Sequence, residues 1–154
     1  MKRIGAIGWA MLLAGCMSSA PPPSTPPPPT MATRNDPVTL TDAGASDPIL
    51  AGLPPTFNAF VGHKEAIRSL PSTATLLASS PTCPAQMFRV GRNVYATQFH
   101  PELDLDGIIL RIHAYANHGY FTADELEPTL AAVRRAEVSY PSRMLRTFVE
   151  RHAR

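Results

Sequence analysis

The sequence predicts a mixed fold in which β-strands come first and helices follow. Short β-prone runs, bounded by proline or glycine, fill the stretch from about residue 38 to residue 99. From about Leu105 onward, apolar residues recur with the spacing of a helix instead. This order by itself favours an α+β fold, and a segment of a larger layered fold would show the same order.

The composition fits one folded unit behind an unusual N-terminus. The 154 residues are 44% hydrophobic and 17% charged, which argues against wholesale disorder. The run PPPSTPPPP at 21–29 is typical of an extended polyproline II spacer. We therefore predict a leader and Pro-rich disordered linker over 1–36 and one domain over 37–154. The formal net charge of +2 gives no reason to expect a nucleic-acid partner.

The first residues have the pattern of a secretion signal. A basic start is followed by a short apolar run and then by Leu13-Ala14-Gly15-Cys16, which resembles a bacterial lipobox. The apolar run is too short for a membrane-spanning helix and suits a signal peptide. Lipidation of Cys16 would anchor the protein to a membrane and leave Cys83 without a disulfide partner. The alternative is that the translation start has been wrongly chosen, and Met31 is then a candidate internal start.

Five strands are predicted in the first part of the domain. They are Val38–Thr41, Phe57–Val61, Thr75–Ser79, Gln86–Val90 and Val94–Phe99. Between the first two, Asp47 as N-cap, Pro48 in the first turn and Gly52 as terminator predict a one-turn helix. The last two strands flank Gly91-Arg92-Asn93, a connection that predicts a β-hairpin.

Three helices are predicted after the hairpin. An apolar stripe that includes Ile108 and Ile112 defines the first, with Asp104 placed to cap its start and Gly119 its end. Thr122 and Glu125 have the T-x-x-E spacing of a capping box before the second.

Two further residues bear on where the later helices begin. Pro128 predicts a kink or a delayed start of the second helix. Ser142 is a candidate cap of the third.

The sharpest chemical signal is Gln98-Phe99-His100-Pro101-Glu102, at the end of the last strand. Side chains two apart in an extended chain share a face, so His100 and Glu102 are expected to project together. An imidazole oriented by a carboxylate is the base that nucleophilic catalysis needs. The alternative is an ordinary surface histidine beside an ordinary glutamate. No CxxC, HExxH or histidine cluster is present in the sequence, so neither a metal nor a cofactor is predicted.

Several separated motifs together resemble class I glutamine amidotransferases of the GMP-synthase-like type. Along the chain they are Gly62-His63-Lys64-Glu65, the stretch from Leu76 to Gln98, and Gln98–Glu102. The family has them in the same order. The resemblance runs from about Pro37 to Arg154. It implies that His100 is the general base, that Glu102 is its orienting acid, and that His63 lies near the glutamine pocket outside the triad.

One part of the family pattern is missing from the chain. These enzymes attack glutamine with a cysteine on a strand–turn–helix elbow, G-x-C-x-G-x-Q, where small neighbours relieve a tight turn. Cys16 precedes a proline run that cannot form the helix, and Cys83 precedes Pro84 in a loop between strands. The resemblance therefore implies a partial flavodoxin-like α/β layered sheet with a C-terminal helical segment, lacking the N-terminal half of the domain.

These implications set the functional expectations. The complete family hydrolyses glutamine and transfers the ammonia, and this chain is expected to be inactive alone. A non-catalytic remnant and a lipid-anchored binding protein are the alternatives. The expected partners are glutamine and a protein, or a second copy, that covers the open sheet. The expected location is cytoplasmic by resemblance, or membrane-anchored if Cys16 is lipidated.

Overall fold

A computed structural model describes residues 34–62, 66–116, 118, 122 and 124–153. Cys16 and the rest of the predicted leader up to residue 33 lie outside this part of the chain, as do His63 and Gly119. The elements in chain order are β1 (Arg34–Leu40), α1 (Asp42–Ala45), β2 (Thr56–Val61), β3 (Ala74–Ser79), β4 (Met87–Val90), β5 (Val94–Thr97), α2 (Leu105–Tyr115), α3 (Leu126–Arg135) and α4 (Tyr140–His152). The layered arrangement of sheet and C-terminal helices is confirmed.

The five strands form one antiparallel sheet that curls back on itself. Their order is β2-β1-β3-β4-β5, and each neighbouring pair is antiparallel. Beyond β5 the chain returns to the opposite edge, where Phe99 forms a bridge with Val61 of β2. This return brings the end of the hairpin beside the end of β2. A protein or a second copy of the chain that covers an open part of the sheet stays a prediction.

Alternation along β2 divides the apolar core between the two faces of the sheet. Phe57, Ala59 and Val61 belong to one cluster, while Phe60 belongs to another, as side chains of successive strand residues must. The first cluster lies inside the curled sheet. It also includes Phe99, which follows β5, and Met144, which belongs to α4. The second joins Phe60 to Ile108, Ile112, Leu130 and Val133 of α2 and α3. The predicted stripe of α2 therefore covers the outer face of β2.

The one-turn helix predicted at Asp47–Gly52 is wrong, because this segment forms turns. A short helix, α1, lies just before it and was not predicted. The Asp47 carboxylate accepts a hydrogen bond from the Ile49 N–H at 3.0 Å, a local bond that favours a turn over a helix. The residue thus has the hydrogen-bonding role of a cap without a helix after it.

Asp47 is also the centre of a buried polar contact with the hairpin. It is 3% exposed, and its carboxylate accepts the Tyr95 hydroxyl at 3.1 Å. The Nε of Arg89 lies 3.5 Å from the other carboxylate oxygen, a distance suited to an ion pair but without hydrogen-bond geometry. Burial of a carboxylate is costly unless it is paired, so these contacts fix the hairpin against the 47–52 turns.

Because Tyr95 takes part in this contact, the free energy of unfolding should depend on pH in the alkaline range. Burial, and then the negative charge of Asp47, raise the pKa of Tyr95 above its ordinary value of 10.0. The unfolded chain therefore loses this proton first, so the contribution is complete below pH 10 and is lost as pH rises through the folded-state pKa. We expect the stability difference between the wild type and Tyr95→Phe in urea unfolding to narrow above about pH 10. A difference that stays constant from about pH 8 to pH 11 would contradict the assignment.

The ends of the helices follow the sequence in part. Glu125 accepts the Thr122 N–H at 2.9 Å, so one half of the predicted capping box forms. Helix α3 begins at Leu126, which places Pro128 in its first turn and gives a delayed start. The Ser142 cap is wrong, because α4 begins at Tyr140 and the Ser142 hydroxyl donates to the Ser139 carbonyl inside the first turn.

Candidate functional site

The β4–β5 hairpin positions the candidate site. Its predicted turn is confirmed, with Gly91 at φ 60°, a left-handed conformation that glycine adopts without a Cβ clash. After β5, the Gln98 N–H still donates to the Gln86 carbonyl of the β4 side at 2.8 Å. Two residues later, the His100 N–H donates to the Phe60 carbonyl of β2 at 2.9 Å. The backbone that carries His100 is therefore held from two sides of the curled sheet.

The structure brings His100 and Glu102 into direct contact. The His100 Nδ1 lies 2.8 Å from a carboxylate oxygen of Glu102. The contact is made across a turn at Pro101 and Glu102, and not along an extended strand. With a carboxylate oxygen as the acceptor, a neutral His100 ring carries its hydrogen on Nδ1 and its lone pair on Nε2.

The exposure of the pair suits a reacting group near solvent. The His100 side chain is 22% exposed and that of Glu102 is 52% exposed. An imidazole with an oriented Nδ1–H and a lone pair on Nε2 can accept a proton from a nucleophile and later return it to a leaving group. The pair alone can move protons, but it does not supply the nucleophile that would form a covalent intermediate with a substrate.

Cys83 does not have the surroundings of a nucleophile. Its side chain is 0% exposed, and its thiol donates to the Gln98 Oε1 at 3.6 Å. Its backbone closes a tight turn with Ser80, through the Cys83 N–H to the Ser80 hydroxyl and the Ser80 N–H to the Cys83 carbonyl. Reactive cysteines are at least partly exposed and lie near positive charge. We therefore assign Cys83 to packing.

Other predicted residues take structural positions or lie outside the described part of the chain. Asp104 caps α2 by accepting the Gly107 N–H at 2.8 Å. The place of His63 near a glutamine pocket and the lipidation of Cys16 stay predictions. Within the described ranges, no three His, Cys, Asp or Glu side chains converge into a group that could hold a metal ion.

Gln98 belongs to the predicted motif, but the sequence assigned no role to its side chain. Its side-chain oxygen accepts the Ile67 N–H at 3.2 Å as well as the Cys83 thiol. Both donors are distant in sequence, so no spacing rule could have identified them. The only local signal was its place as the first residue of the His100 motif.

Comparison with known proteins gives partial matches. No protein-family model matches the chain. It is 45% identical over 60 residues to a glutamine-hydrolysing GMP synthase component of Thermoplasma acidophilum, covering 38% of this chain and 30% of that protein. It is 39% identical over 75 residues to a glutamine amidotransferase-like protein of Salmonella typhimurium, covering 47% of this chain and 30% of the other. The chain thus spans about a third of the length of these curated relatives.

A solved structure extends the likeness to the fold. A glutamine amidotransferase from Thermotoga maritima superposes with a TM-score of 0.60 at 21% identity. The match covers 78% of this chain and 51% of that one. At this level of identity the likeness concerns the fold alone, and the described sheet and helices correspond to about half of that chain.

Proposed function

We propose, from the homology of this chain to part of the class I glutamine amidotransferase domain, that His100 and Glu102 are the base and orienting acid of a glutamine-hydrolysing site. The observation that carries the proposal is the 2.8 Å contact between the His100 Nδ1 and Glu102, which leaves Nε2 for a reacting group. Glutamine is the partner that the relatives' activity supports. By the same resemblance the protein acts in the cytoplasm.

The reaction requires a thiol that the described residues do not offer. Neither Cys16 nor Cys83 supplies it, so the cysteine comes from another polypeptide that carries an elbow of the family type; it gives its proton to His100 and attacks the carboxamide carbon of glutamine. His100 then protonates the departing ammonia, leaving a glutamyl thioester. Next, His100 takes a proton from water, whose oxygen attacks the thioester carbon, and the returned proton restores the thiol. Glutamine and water thereby become glutamate and ammonia.

The proposal is tested through ammonia release from L-glutamine by the purified full chain, alone and mixed with a polypeptide that carries the G-x-C-x-G-x-Q elbow. We expect His100→Ala to lower the rate by about 10²–10⁴-fold, the usual contribution of a general base. His113→Ala is the matched control, because this exposed histidine lies on α2 and should leave the rate unchanged. Cys83→Ser should also keep the rate, since that thiol is buried.

The burial of Cys83 favours a second candidate function, a binding module without turnover. Absence of ammonia release from the wild-type chain would exclude hydrolysis by this chain alone and support the binding module. A rate that His100→Ala leaves unchanged would exclude the proposed base.

A lipid-anchored form of the binding module would depend on Cys16. Within the described ranges, no helix has both the length and the hydropathy needed to cross a bilayer. Partition into membranes that disappears in Cys16→Ser would support the anchored form. A protein that starts at Met31 and stays in the aqueous fraction would exclude it.

A further inference from the structure

Gln98 stands where the chain leaves one strand partner for another. In a regular strand, the N–H groups of residues two apart point to the same neighbour. Here the Gln98 N–H bonds to Gln86 on the β4 side, and the His100 N–H bonds to Phe60 of β2. The backbone therefore bends at Gln98, and the direction of the bend determines where His100 lies.

The side chain of Gln98 anchors this bend to two other parts of the molecule. Its Oε1 accepts the Ile67 N–H, from the β2–β3 connection, at 3.2 Å. It also accepts the thiol of Cys83, from the β3–β4 connection, at 3.6 Å. Both lone pairs of the oxygen are used, and a backbone N–H can only donate, which assigns the oxygen of the amide to this side.

A second contact fixes the β2–β3 connection on the C-terminal side of the bend at Gln98. Phe99 bridges Val61, so the start of the β2–β3 connection is fixed to the residue before His100. Ile67, in the middle of that connection, is fixed to the residue before Phe99. Two consecutive residues thus hold the start and the middle of the connection, and the His100 backbone follows directly.

We propose that Gln98 is a positioning residue of the site, which holds the bend so that the imidazole of His100 meets Glu102 with Nε2 available. This inference rests on the proposed function for its catalytic meaning. Its structural content does not depend on turnover, because the His100–Glu102 contact and the Ile67 hydrogen bond exist without substrate.

The test uses the full chain and three variants. Gln98→Met keeps the length of the side chain and removes the acceptor, while Gln98→Glu keeps an acceptor oxygen at the same place. Gln86→Met is the matched control, since it removes another amide, 0% exposed, whose Nε2 donates to Ser80 and not to Ile67. Two NMR measurements are made: hydrogen exchange of the Ile67 amide, and the tautomer of neutral His100 from its ring ¹⁵N shifts.

We expect Gln98→Met to speed exchange at Ile67 by about tenfold, the loss of roughly one hydrogen bond, and to raise the Nε2–H fraction of His100 severalfold. Gln98→Glu should return both quantities toward the wild-type values. Gln86→Met should leave both within about twofold of the wild type. A purely structural role would change stability without changing the tautomer.

Three results would overturn the inference. They are an unchanged Ile67 exchange in Gln98→Met, an unchanged His100 tautomer in that variant, and equal changes in Gln86→Met. If the wild type hydrolyses glutamine, Gln98→Met should also lower kcat with KM nearly unchanged, and a change in KM alone would count against it. A wild type without turnover would exclude hydrolysis by this chain alone, while the two NMR measurements would still decide the role of Gln98.

Discussion

Replacing Phe99 with alanine should lower the free energy of unfolding by about 3–5 kcal/mol, the cost of truncating a buried phenylalanine. Phe99 is 1% exposed and meets the ring of Phe57 edge-on, with centroids 5.9 Å apart. It also forms the bridge with Val61 that returns the chain to β2. The cavity would therefore open in the core at the point where the curled sheet closes, and urea unfolding followed by circular dichroism measures the loss.

Val94→Ala is the control for this prediction. Val94 lies in β5, the strand that leads to Phe99, but is 65% exposed, so its truncation should change stability by no more than about 0.5 kcal/mol. Equal losses in the two variants would mean that the hairpin as a whole, and not the core contact of Phe99, determines the effect.

Gly44→Ala is expected to destabilise the protein by about 3 kcal/mol, at the upper end for an overpacked site. A Cβ at Gly44 would overlap the Leu77 carbonyl oxygen, which belongs to the backbone of β3. That carbonyl already accepts the Thr41 N–H at 2.9 Å, and the Thr41 hydroxyl caps α1 through the Gly44 N–H. Neither side can move away without losing hydrogen bonds.

Gly107→Ala supplies the matched control in α2. A Cβ there would meet only side-chain atoms of Asp104 and Leu103, at 3.1 and 3.2 Å. Alanine also favours a helix over glycine by about 1 kcal/mol, so we expect a net change below about 1 kcal/mol in either direction. Thermal unfolding of both variants decides the point, and a Gly44→Ala protein as stable as the wild type would refute the close contact with β3.

The parts of the fold that the sequence predicted correctly depend on residues that lie close to each other along the chain. The hairpin depends on Gly91 between two β-prone runs, and its turn needs the left-handed φ that glycine allows. Helix α2 depends on the spacing of Ile108 and Ile112, and both are buried as that spacing requires. Asp104 caps it through a bond to a residue three positions away.

The wrong predictions at Asp47 and Ser142 have different causes. Asp47 has the sequence of a helix cap, but its carboxylate is held by Tyr95 and Arg89 from the hairpin. Ser142 has the residue type of a cap, but Pro141 fits the first turn of a helix and α4 begins earlier, at Tyr140. Contacts with distant residues therefore decided the outcome at Asp47, and a neighbouring residue decided it at Ser142.

The candidate site divides in the same way. His100 and Glu102 are two residues apart, so the sequence alone determined that an imidazole and a carboxylate lie within reach of each other. Only the tertiary structure decided that the strand carrying them leaves β4 for β2 at Gln98, and that Ile67 and Cys83 hold it there. Those bonds join residues 31 and 15 positions apart, and such pairings follow from the curl of the sheet because no local propensity encodes them.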